Sequence, residues 1–189
     1  MTNSGKYWVA WANENARNSR KIEDLQPNFR ACILEFMQAL KQAGASITIN
    51  TTKRSPKRAY LFHWSWKIYI EKCDPSEAQI LNGVDIKWDH GSIEESINSA
   101  REMVEGFGLA VPPRSVVAPS MKSNHIKGKA IDMDIIWNGI INVKDKKGKI
   151  VELTFNENIL ENKELIEVGS TYGVYKLETD KPHWSYDGR

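Results

Sequence analysis

The stretch Ser123-Asn124-His125-Ile126-Lys127-Gly128-Lys129-Ala130-Ile131-Asp132-Met133-Asp134-Ile135 runs a turn directly into a strand. Gly128 suits the turn. From Ala130 to Trp137, apolar Ile131, Met133 and Ile135 alternate with polar neighbours, the period of a half-buried strand. Asp132 and Asp134 therefore share a face, opposite the apolar one. Downstream, Ile140–Val143 and Ile150–Leu153 read as a hairpin around DKKGK, followed by a helix over Asn156–Val168 that ends at Gly169. A last strand, Gly173–Leu177, leads into ETDKPHW.

Upstream, Pro27 opens a helix on which Phe29, Cys32, Ile33, Phe36, Met37 and Leu40 recur at helical spacing, closed by Gly44. Ala45–Thr51 reads as a strand. Ser55 and Pro56 then cap a second helix that runs to about Glu71, and Ser92 with Glu95 forms a capping box before a third. Helices and strands mix in an α+β pattern. Residues 1–26 are largely polar, with an aromatic cluster at Tyr7, Trp8 and Trp11, and are expected to form an arm lying against a domain of residues 27–189.

Composition narrows the function. In a chain of 189 residues, 41% hydrophobic and 26% charged residues fit a folded domain rather than a disordered one. A net charge of +2, with no block of like charge, argues against a nucleic-acid partner. No apolar run is long enough to span a membrane. The first residues show no basic segment followed by an apolar one, so the expectation is a chain made in the cytoplasm without a signal peptide. Cys32 and Cys73 are expected to be buried free thiols.

The chemistry lies in two islands. His125 and Asp132 occupy the first, and Asp180 and His183 the second, where Pro182 stiffens DKPHW. Imidazole and carboxylate suit zinc, which at a hydrolytic site takes three protein ligands and leaves one position for water, with a carboxylate near enough to accept that water's proton. Asp134 competes with Asp132 for the place on the strand. His63 is read as a core or surface histidine, and His90 as a loop residue bordering the cleft. The aromatics from Tyr60 to Tyr69 are read as core.

Ser123-x-His125-x-x-Gly128-x-Ala130-x-Asp132 resembles the S-x-H-x-x-G-x-A-x-D motif of the zinc D-alanyl-D-alanine carboxypeptidases, the vancomycin-resistance D,D-dipeptidases and the phage L-alanyl-D-glutamate endolysins. Asp180, His183 and Trp184 resemble the second half of that signature, and Arg54 with Ser55 in T-T-K-R-S resembles its upstream arginine phrase. Either half alone is weak; together, in the family's order, they are specific. The resemblance spans about residues 27 to 186. It implies the Hedgehog/D,D-peptidase fold, a small antiparallel sheet flanked by helices.

By that resemblance, zinc is held by His125, Asp132 and His183, with Asp180 as general base. Arg54 binds the oxyanion or the substrate carboxylate, and Ser123 and Trp184 support or contact the substrate. The implied activity is hydrolysis of a peptide bond in peptidoglycan stem peptides or cross-links, at the cell wall, after delivery by a holin or a secretion machine. The alternative is a zinc-containing binding module of the same fold, as the Hedgehog signalling domain is.

Overall fold

The structure, a computed structural model, describes residues 1–189. In chain order the elements are β1 (Thr2–Asn3), α1 (Lys6–Asn15), α2 (Pro27–Gln42), β2 (Ser46–Thr51), α3 (Pro56–Trp66), β3 (Ile86–Lys87), α4 (Ile93–Phe107), β4 (Ala130–Ile136), β5 (Ile140–Lys144), β6 (Ile150–Thr154), α5 (Lys163–Thr171), β7 (Tyr175–Lys176) and β8 (His183–Ser185). The fold is α+β, with a small antiparallel sheet and five α-helices. No helix is long and apolar enough to cross a membrane. The chain divides into two compact units, one of residues 1–18 and 54–122, the other of residues 19–53 and 123–189. The expected arm, residues 1–26, is thus shared between them.

The first unit is helical. Helix α1 buries Trp8 and Ala12, and these pack with Tyr60, Leu61 and Trp64 of α3 and Ala100 and Met103 of α4. Ser92 caps α4 through the Glu95 amide, and Gly108 ends it in the left-handed region, as a helix C-terminus favours. A π-helical turn, Lys67–Glu71, extends α3. The tryptophans serve the core here: the Trp88 indole donates to the Tyr60 hydroxyl at 2.9 Å.

The second unit holds a four-stranded sheet in the order β2-β4-β8-β7, all antiparallel, and the separate hairpin β5-β6. Ile131, Met133 and Ile135 of β4 point into a core with Phe29, Ile33, Phe36 and Leu40 of α2 and Leu165 and Val168 of α5. The alternation read from the sequence therefore selects the buried face, and Asp132 and Asp134 lie on the other. The helix expected over 156–168 is split. A 3-10 turn covers Ile159–Glu161, and α5 starts only at Lys163, because the Asn162 carboxamide accepts from the Leu165 amide and caps it. Both cysteines are free, but each is half-buried rather than buried.

Gly169 in α5 lies under Trp184. A Cβ there would sit 2.7 Å from the indole and 3.0 Å from the Val174 carbonyl. Gly169→Ala is therefore expected to lower stability by about 1–3 kcal/mol through overpacking, seen as a drop in the denaturant midpoint with an unchanged slope.

Candidate metal centre

Three side chains from two stretches of the second unit meet at one point. His125 leaves a run of tight turns in which the amides of Ile126, Lys127 and Gly128 bond to the carbonyls of Ser123, Asn124 and His125. Gly128 is required twice over. Its φ is +65°, and a Cβ would lie 2.9 Å from the Asp24 carbonyl oxygen. The same glycine accepts the Gln26 amide at 2.8 Å, tying the turn to the start of α2. Asp132 lies on β4 directly opposite His183 on β8, and cross-strand partners put their side chains on one face.

The result is a nearly equilateral triangle of ligand atoms. His125 Nε2 is 3.0 Å from Asp132 Oδ1 and 3.1 Å from His183 Nδ1, and the third edge, His183 Nδ1 to Asp132 Oδ1, is 3.2 Å. Zinc bonds of about 2.0–2.1 Å at tetrahedral angles would space ligand atoms by about 3.3–3.4 Å, so a small inward closure of those angles fits. The histidines are buried and the carboxylate is partly open. This group could hold a metal ion.

The outer nitrogens explain why. His125 Nδ1 lies 2.9 Å from the Thr52 carbonyl, and His183 Nε2 lies 3.1 Å from the main-chain oxygen of Arg189. Each of these main-chain oxygens only accepts, so each ring places its N–H outward and turns a lone pair inward in the neutral form. Thr52 is itself fixed, its amide donating to the Ser19 carbonyl and its hydroxyl to that of Lys21. Two imidazole lone pairs and a carboxylate thus converge with no hydrogen between them, an arrangement that calls for a cation. Backbone carbonyls orienting ligand imidazoles in this way are the usual outer partners of a metal.

Protons are the competing cation. Burial pushes the Asp132 carboxyl up, but when His125 and His183 take an inward proton their hydrogen bonds and charges outweigh it and hold it well below the usual carboxylate range. Metal and protons seek the same lone pairs.

The other expected site residues are placed less centrally. Asp180 sits in the turn between β7 and β8, exposed and outside the triangle; its amide and carbonyl bond to the Leu177 carbonyl and the His183 amide. Arg54 is half-buried at the entry to α3 in the first unit, where after burial its charge is the further cause lowering the Arg58 pKa. Ser123 buries its hydroxyl oxygen without a hydrogen-bond partner. Trp184 is fully buried and packs 5.4 Å from the Phe36 ring.

Asp134 accepts from Asn50 at 2.9 Å and is not part of the group. His63 bonds to the Pro119 carbonyl and His90 to Ser4 and Ser99, all within the first unit. Lys176 escaped notice in the sequence. It is 6% exposed, and its Nζ donates to the carbonyls of Leu177, Asp180 and His183.

Zinc at about a hundred times its dissociation constant should stabilise the folded chain by about 2.7 kcal/mol, read as a higher Tm that His125→Ala abolishes. In the metal-free protein the lowered Asp132 pKa has a definite sign. It contributes stability that is present above the unfolded carboxyl value of about 3.9 and is lost as pH falls through the folded value. Asp132→Asn should accordingly flatten the acid limb of a stability-against-pH curve. Comparisons with protein-family models, with curated proteins and with solved structures find no match to this chain.

Proposed function

We propose that the chain is a zinc-dependent peptidase of the D,D-peptidase type, acting on peptide bonds of peptidoglycan. The observation that carries this reading is the convergence of the His125 and His183 lone pairs with the Asp132 carboxylate, each ring held by a backbone carbonyl behind it. Those are the residues that match the motif, and three protein ligands leave a fourth position for water or substrate.

A bound zinc ion supplies two things, polarisation of the scissile carbonyl and a water whose pKa falls towards about 7. The chain supplies the rest. The outward N–H groups fix both imidazoles in direction and tautomer, so that each neutral ring turns a lone pair to the centre. Asp180, three residues before His183 on the same short turn, takes the proton as water attacks and passes it to the leaving amine. Its exposure in the resting structure suits a group that meets substrate from solvent, since catalytic contacts tighten on binding. Arg54 is assigned the oxyanion or the substrate carboxylate by its place in T-T-K-R-S. Delivery to the wall is assigned to a holin or a secretion machine.

The second reading is a zinc-containing binding module. The observation favouring it is that Asp180 is exposed in its turn, with no side-chain hydrogen bond to any of the three ligand residues. The two separate cleanly in a clearing assay on purified peptidoglycan with verified zinc removal and restoration. Clearing should require zinc. Asp180→Ala should keep the metal and lose at least about a hundredfold in rate, the usual size of general-base catalysis, whereas His125→Ala should lose metal and activity together. Clearing by protein stripped of all zinc would overturn the metal mechanism. Normal turnover by Asp180→Ala would remove its role as base.

A further inference from the structure

We propose that Lys176 is a positioning residue for the centre, its ammonium gripping three main-chain carbonyls so that the turn carrying Asp180 and His183 has one shape. The proposal rests on the reading of His183 as a metal ligand.

Strands β7 and β8 pair over only two positions, Tyr175 with Ser185 and Lys176 with Trp184. Such short pairing leaves the turn between them weakly specified. The turn closes on itself through three long or moderate bonds: the Leu177 amide to the His183 carbonyl at 3.3 Å, the Asp180 amide to that of Leu177 at 3.3 Å, and the His183 amide to that of Asp180 at 3.1 Å. The three accepting carbonyls of this ring are the same three that receive the Lys176 Nζ. Each oxygen thus spends one lone pair on the ring and the other on the lysine.

An ammonium has three donors, and three acceptors meet it. Three carbonyl dipoles aimed at one point repel unless a positive group sits there, so a neutral side chain of the same length would leave the ring to splay. Burial works against this charge and brings the Lys176 pKa down to about 8, while the Asp180 and Asp132 carboxylates oppose that fall; the Nζ also lies 5.4 Å from the centroid of the Trp184 ring, which is itself immobilised in the core. Two of the three gripped carbonyls belong to Asp180 and His183. A rotation of either peptide would swing His183 Nδ1 out of a triangle whose edges are 3.1 and 3.2 Å. Lys176 touches no ligand atom; it acts through the backbone.

The test compares wild-type chain with Lys176→Met and Lys176→Ala. Zinc affinity is read by competition with a chromophoric chelator, the cobalt form by its visible spectrum, and kcat and KM on peptidoglycan fragments. Circular dichroism monitors folding. Lys176→Met should fold, bind zinc about 10–100-fold more weakly, as loss of an outer partner does, alter the cobalt spectrum, and lower kcat more than it raises KM. Propylammonium should restore affinity to Lys176→Ala, and propanol should not.

Zinc affinity and kcat within twofold of wild type in Lys176→Met would overturn the proposal. Should both variants fail to fold, reductive methylation of the wild-type chain decides: Lys176 must be protected while exposed Lys181 reacts, and equal rates overturn the grip. Wild-type chain that binds zinc yet cuts no peptidoglycan defeats the peptidase reading alone, since the affinity comparison still stands. Wild-type chain that takes up no zinc defeats the centre and the grip together.

Discussion

Everything at the centre depends on one register, the pairing of β4 with β8 that sets Asp132 across from His183. Side chains on a strand alternate between faces, so a slip of one residue would turn the histidine into the core and bring Trp184 out to solvent. The register is held from the apolar side. Trp184 fills a slot against Phe36 and Gly169, and Ile131, Met133 and Ile135 continue the same packed layer. The hydrophobic face thus decides the position of the polar one, and the ligands occupy whatever face the core leaves open.

The polar side adds what packing cannot, direction. A packed strand brings a ring into the right region, but only a fixed hydrogen bond chooses which nitrogen faces inward. Here the choice is made by main-chain oxygens: Thr52 behind His125, and Arg189 behind His183. The Lys176 ammonium extends the pattern, drawing three more carbonyls together beneath the turn. Charge is concentrated around His183 while the side chains that create it stay few.

Much of this was legible in the residues. Helices α2 and α4 declare themselves by apolar spacing with Pro27, Ser92 and Glu95 at their starts, and β4 by strict alternation. His125, Asp132 and His183 were singled out by the motif they resemble, residue type alone leaving Asp134 as a competitor, and the structure brings the three together. Helix α1 was hidden because it fully buries only Trp8 and Ala12, too thin a stripe to fix a period among neighbouring apolar residues such as Tyr7, Val9 and Trp11. The start of α5 was misplaced because an asparagine cap at Asn162 interrupts a run that looks continuous. Lys176 gave no signal, since its partners are carbonyls whose directions exist only once the turn has formed.

The main-chain oxygens behind the two imidazoles are groups that every amino acid carries. Which nitrogen of each ring faces the centre is therefore dictated by chain path, not by the identity of the residues at positions 52 and 189. Swapping those side chains leaves the oxygens in place as long as the local trace persists; shifting the trace by a single inserted residue does not. The vulnerability of this centre lies in insertions and deletions within the loops that frame it.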